Sequence, residues 1–417
     1  MPNVRNNSPR IVPEVPPGRP VVQFNRAPMR VPDYYPGISF RSSLLKAQQR
    51  YAPTVAPVSI PQGGGTELAP ATGHVVRPPQ QPGSPYIGTT GLATPAPIAA
   101  PAAVNGKTES RPMALQEFPK PEGDNGRGMH WVPTTSSTTD VVDRFVQQAK
   151  EMKIKWMVVL NEDTKVGDND YLVKQLVTNG IMPVMRVYTP NGNAIQGDLE
   201  AMVNHYRPMG VYYYQLYNEP NLNVENPDGV PSPDAYLDKW IPAAKAVARA
   251  GGLPGFGSLA PGGNFDDMEF LSQTLDKVKQ RGDVAVLDRA WLSMHNYTLN
   301  HPLDYFKDSN GFMKFRWYDS MIKQKLGRGM PIIGTEGGTF VGATDDRTFP
   351  AIDQARQVDM VTGAYRYMKN REPYNFAYSY WVIANEEGGG QDPGFTQHAL
   401  FKDGGKSPVV DALKRLD

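Results

Sequence analysis

Two glutamates stand where a side chain can do chemistry. Glu219 follows the aromatic run Tyr212 to Tyr217 and precedes Pro220. The run reads as a β-strand, and the proline ends its ladder because it lacks a backbone donor. Glu336 lies in Pro-Ile-Ile-Gly-Thr-Glu-Gly-Gly, an apolar run closed by glycines that permit close backbone approach. Carboxyls presented from two strand ends can divide the work of an acid/base reaction. One is kept protonated to donate and the other ionised to accept or attack, provided that their surroundings push the two pKa values apart.

The elements that must position them are regular. Short apolar runs predict strands at Gly128 to Val132, Trp156 to Leu160, Pro183 to Tyr188, Tyr212 to Tyr217, Gly255 to Leu259, Ala290 to Tyr297, Pro331 to Thr335 and Asn375 to Ile383. Amphipathic segments separate them, from DVVDRFVQQAKEM to AIDQARQVDMVTGAYRYMKN, and VVDALKRLD closes the chain. Several open on Asp or Ser and stop at Gly or Asn, as helix caps do. Strands alternating with helices imply an α/β fold with a parallel sheet, and eight such units predict a closed (β/α)₈ TIM barrel over residues 121–417. An open doubly wound sheet would carry a glycine-rich phosphate loop after its first strand, and none follows Val132. Gly255 to Ala260, GFGSLA, matches the dinucleotide pattern but is itself a strand running into Pro-Gly-Gly.

In such a barrel the C-terminal strand ends form the functional face. Read from the sequence, they bring His130 and Trp131, Asn161 and Glu162, Arg186 and Tyr188, Asn218 and Glu219, His295 and Tyr297, Glu336, and Trp381 with Asn385 and Glu386 to one mouth. Arg186 and a Tyr hydroxyl beside Glu336 would favour its ionised form, while a less compensated Glu219 keeps its proton.

Asn218-Glu219-Pro220 ending the fourth strand, with Glu336 ending the seventh, resembles the retaining glycoside hydrolases of the clan A (β/α)₈ superfamily. The resemblance covers the body but not the first 120 residues. It implies an O-glycosyl hydrolase that cleaves a β-linked oligo- or polysaccharide by double displacement, without a cofactor or metal. Glu219 would be the acid/base and Glu336 the nucleophile. Asn218 would bind the sugar 2-hydroxyl, Tyr297 would hold the nucleophile and Trp381 would floor the sugar. Independently, Trp131, Tyr188, Tyr217, Trp240, Tyr297 and Trp381 are flat faces suited to sugar rings, and Arg186, His295 and Tyr188 are further substrate-binding candidates. The alternative is a structural or glycan-binding barrel of a surface, virion or multisubunit assembly, with little or no catalysis.

That alternative is motivated by residues 1–120. They hold 22 of the 40 prolines, and their net charge of +7 sits on a body of net −6. Such a segment reads as an extended or disordered arm. Residues 21–53, with five aromatics among arginines, read as a docking segment for another protein or subunit. A charge of +7 over 120 residues is dilute for nucleic acid. The chain has no cysteine, which excludes thiol chemistry. It shows no HExxH, Gly-x-Ser-x-Gly or Walker sequence, no signal-peptide h-region in its opening residues and no apolar run long enough to span a membrane. These features are compatible with an extracellular, surface, virion or cytoplasmic setting. Acidic loops at Asp345-Asp346 and at 385–392 read as solvated rather than as calcium ligands.

Overall fold

The computed structural model describes residues 111–131, 138–305, 311–344, 346–385, 393–402 and 404–417. The arm and its docking segment at 21–53 therefore lie outside the described residues.

Eight parallel strands close a barrel in chain order. They are β1 (Arg127–His130), β2 (Trp156–Glu162), β3 (Met182–Tyr188), β4 (Tyr213–Leu216), β5 (Leu253–Leu259), β6 (Trp291–Tyr297), β7 (Ile332–Gly338) and β8 (Asn375–Tyr380). The helices around them are α1 (Thr139–Glu151), α2 (Asp170–Thr178), α3 (Leu199–Tyr206), α4 (Pro233–Arg249), α5 (Asp267–Gln280), α6 (Phe315–Leu326) and α7 (Gln354–Lys369), and α8 (Pro408–Arg415) follows β8. Every strand and helix expected from the sequence is present. The side chains of Asp198, Ser232, Asp266 and Asp353 cap α3, α4, α5 and α7 by accepting a backbone N–H of the first turn. Among the described residues no helix is long and apolar enough to cross a membrane.

Alternation decides what fills the barrel. Along β3, Met182 and Val184 point inward, while Met185 and Val187 join the layer between barrel and helices. The lower interior is packed by Trp156, Tyr213, Trp291 and Phe376. Gly255 makes that packing possible, because a Cβ there would come within 2.7 Å of the Trp291 ring. The upper interior is polar and carries Arg186, His295 and Glu336.

Residues 113–120, on the arm side of the compositional boundary, pack against the bottom of this barrel. Phe118 is buried and meets Phe376 edge-to-face at 6.3 Å. Tyr213 donates its hydroxyl to the Pro119 carbonyl at 2.6 Å, and the Met113 N–H donates to the Asp288 carbonyl at 2.9 Å. Phe118→Ala is expected to cost about 3–5 kcal/mol, the range for deleting a buried phenyl ring. Urea unfolding measures this, and an unchanged midpoint would contradict the packing of residues 113–120 on the barrel.

Candidate active site

Two local departures from regular strand geometry build the mouth. On β4, inward positions Tyr213 and Gln215 should be followed by Tyr217. Instead, Tyr217 has φ 65° and its hydroxyl reaches outward to the Lys239 carbonyl of α4 at 3.4 Å. The break in alternation brings both Asn218 and Glu219 to the mouth. On β7 the register with β6 shifts between Met294 and His295, so that His295 pairs with Glu336. Thr335 points inward to the Ser293 hydroxyl at 2.9 Å, and the bulge lets the next residue, Glu336, face inward as well.

Glu219 sits at φ 31° beside Ser258 at φ 57°, whose carbonyl accepts the Glu219 N–H at 3.0 Å. Left-handed φ at three non-glycine residues around one carboxyl costs on the order of 1–3 kcal/mol each. The surrounding barrel holds them there.

His295, fully buried, joins the two carboxyls. Its Nδ1 lies 2.9 Å from Glu219 Oε1 and its Nε2 lies 3.6 Å from Glu336 Oε1. Both carboxyls therefore lie against the same ring. Burial by itself opposes a charge on His295. The Glu336 charge and the hydrogen bond and charge of Glu219 outweigh it, so the His295 pKa is raised. A proton on His295 would offset the repulsion between the two carboxyls whenever both are ionised. Glu336 is held from two further sides. Arg186 Nη1 donates to its Oε1 at 2.5 Å, and the Tyr297 hydroxyl donates to its Oε2 at 2.9 Å. Burial, then the charges of Glu336 and Glu219, push the Tyr297 pKa well above its ordinary value, so Tyr297 stays a hydrogen-bond donor.

The remaining sequence candidates divide between the mouth and the outer layer. Asn218 donates Nδ2 to Glu225 Oε1 at 2.7 Å. Tyr188 is buried at the end of β3. Trp381, just past β8, packs edge-to-face on His130 at 4.2 Å and on Phe395 at 5.5 Å, and joins Tyr297 in one apolar cluster. It is fully buried, with Phe395 against it. Trp131 is not at the mouth: it packs on Phe145 of α1, because the residue after His130 points to the helix side. Tyr217 and Trp240 belong to the same outer layer, Trp240 donating to the Gly255 carbonyl at 2.7 Å. Asn161 is spent on loop carbonyls and Glu162 on an exposed pair with Lys165. Glu386 and Asp345 lie outside the described residues. Among the described residues no three His, Asp or Glu side chains converge in a way that could hold a metal ion.

Two residues of the interior carried no sequence signal. Gln215 is fully buried on β4, with neither amide atom hydrogen-bonded among the described residues. Glu225 joins Glu219 and Glu336 as a third buried carboxyl at the mouth, in the helical turn Asn223–Glu225 after Pro220. A lone acidic residue in a loop rich in Asn is ordinarily solvent-exposed, and only the inward fold of the turn reveals it.

No family model and no curated protein matches the chain. Solved structures do. A monomeric β-xylosidase from Caulobacter crescentus is 17% identical, with TM-score 0.49 over 69% of this chain and 67% of that one. A family 39 glycoside hydrolase described as a β-xylosidase, from the same organism, is 17% identical, with TM-score 0.49 over 72% of each chain. A family 128 endo-β-1,3-glucanase from Sorangium cellulosum is 17% identical, with TM-score 0.46 over 70% of this chain and 98% of that one.

Proposed function

We propose that this chain is a retaining β-glycoside hydrolase acting on an oligo- or polysaccharide. The observation that supports a two-carboxyl reaction is the placement of Glu219 and Glu336 against one buried histidine, with Arg186 and Tyr297 donating to both oxygens of Glu336; the retaining course rests on the resemblance carried by Asn218-Glu219-Pro220 and Glu336. In the first step Glu336 attacks the anomeric carbon, and the bond to the leaving oxygen breaks as Glu219 gives that oxygen its proton. In the second, Glu219 takes a proton from water, whose oxygen displaces Glu336 and restores both carboxyls. Arg186 and Tyr297 hold the nucleophile in position. As Glu336 is consumed as an ester its negative charge is lost, and the raised pKa of His295 falls as that charge disappears. Asn218 and Tyr188 line the substrate side, and Trp381 backs it.

Of residues 1–120, the stretch 113–120 packs on the base of the barrel, and the part before it is proposed as an anchoring arm, since nothing in the two-glutamate chemistry requires it. The reading is tested by following a panel of β-glycosides with proton NMR and observing the anomer released first. Retained configuration is expected. Inversion would overturn the double displacement, and binding of glycans without turnover of any panel member would favour the non-catalytic barrel.

A further inference from the structure

We propose that Glu225 is a positioning residue whose carboxyl sets which end of the Asn218 side-chain amide is left free to meet the ligand. The proposal deepens the hydrolase reading and rests on it only for what that ligand is.

Glu225 cannot easily move away. Its N–H donates to the Leu222 carbonyl at 3.2 Å, and the neighbouring Asn226 Nδ2 ties the turn to the Pro220 and Leu222 carbonyls at 2.9 and 2.7 Å. The Glu225 carbonyl also packs over Gly192, where a Cβ would come within 2.2 Å of it. The carboxyl is thereby fixed beside the residue that precedes Glu219. Asn218 Nδ2 donates to it at 2.7 Å, and Asn218 Oδ1 is buried with no hydrogen-bond partner among the described residues.

The chemistry of the pair is asymmetric. An ionised carboxyl only accepts, so it takes the NH₂ end of the amide and leaves Oδ1, an acceptor, as the free end. A protonated carboxyl carries a donor. It can bond Oδ1 once the amide has turned over, and Nδ2 then becomes the free end. Charged groups face Glu225 from three elements: Glu219 after β4, Arg186 on β3 and Glu336 on β7. The Tyr188 hydroxyl at the end of β3 also feels its charge. Burial first, and then the Glu219 charge, push the Glu225 pKa up to about 7, against the opposing effects of Arg186 and the Asn218 bond. Both forms of the pair are therefore accessible around neutrality. Asn218 presents an acceptor to a ligand hydroxyl on the alkaline side and a donor on the acid side.

The test needs no substrate. In the full-length protein, the side-chain amide resonances of Asn218, assigned by their loss in Asn218→Asp, are followed across roughly two pH units either side of neutrality. They are expected to titrate in the wild type and to become independent of pH in Glu225→Gln. In Glu219→Gln the midpoint should fall, because the variant can no longer place beside Glu225 the charge that the ionised form of Glu219 carries. This second variant decides the matter if Glu225→Gln does not fold. A flat wild-type resonance, a titration unchanged in Glu225→Gln, or a midpoint unmoved in Glu219→Gln would each overturn the proposal. Turnover is measured alongside: if no glycoside is cleaved while the amide titrates as described, the hydrolase reading fails and the Glu225 coupling stands.

Discussion

Glu336→Gln is expected to lower turnover of any glycoside that the wild type cleaves by at least about 10⁴-fold, because an amide cannot form the glycosyl ester and loss of a nucleophile is among the largest single-residue effects. Glu219→Gln is expected to cost less, roughly 10²–10⁴-fold, the range for general acid–base catalysis. The two also differ in kind. A substrate with a good leaving group needs no proton on its departing oxygen, so the Glu219→Gln deficit should shrink in the first step on activated aryl glycosides, whereas the Glu336→Gln deficit should persist. Steady-state and burst kinetics on a natural and an activated glycoside measure both. Equal sensitivity of the two variants to the leaving group would contradict the assigned division of work.

Arg186→Met is expected to destabilise the fold by about 3–5 kcal/mol, the cost of removing one partner of a buried ion pair and stranding the other. Both side chains are almost wholly buried, and the pair joins β3 to β7 across the barrel at 2.5 Å. The loss is expected to come from the Glu336 carboxyl left without its guanidinium rather than from missing packing. The double variant Arg186→Met/Glu336→Gln should therefore recover most of it while remaining inactive. Chemical denaturation at neutral pH checks this. A double variant as unstable as Arg186→Met would show that the guanidinium acts through packing. The same experiment separates stability from catalysis at the site, since a buried ion pair is weak evidence for net stabilisation.

Much of this molecule is legible in its sequence because barrel and helices obey short-range rules. The inward and outward faces of β3 follow from alternation, the caps from Asp and Ser, and the strand ends from the turns that follow them. Arg186, Glu219, His295, Tyr297 and Glu336 could be placed at one mouth from strand ends alone. What alternation could not give is which neighbour of a strand-end residue faces inward. Strand-end position places Trp131 and Tyr217 at the mouth, whereas both lie in the outer layer, Tyr217 because its backbone adopts a left-handed φ. Glu336 faces inward because a register shift re-aims it, and such a shift is a property of two strands together. Glu225 was invisible for a related reason: its burial depends on a turn folding back over Gly192 from another loop. The boundary at residue 120 followed composition, while Phe118 follows the space left at the base of the barrel.

A nucleophile of a double displacement carries the sugar between the two steps, so Glu336 in that role can be trapped as an ester. The most direct measurement is incubation of the protein with activated 2-deoxy-2-fluoro β-glycosides, followed by intact mass and peptide mapping. The fluorine slows both steps and the good leaving group restores the first, so the glycosyl ester accumulates. One sugar per chain is expected, carried by the peptide containing Glu336 and absent from Glu336→Gln. A sugar mapped to Glu219 or Glu225, or turnover of the parent glycosides with inversion and no adduct, would contradict it.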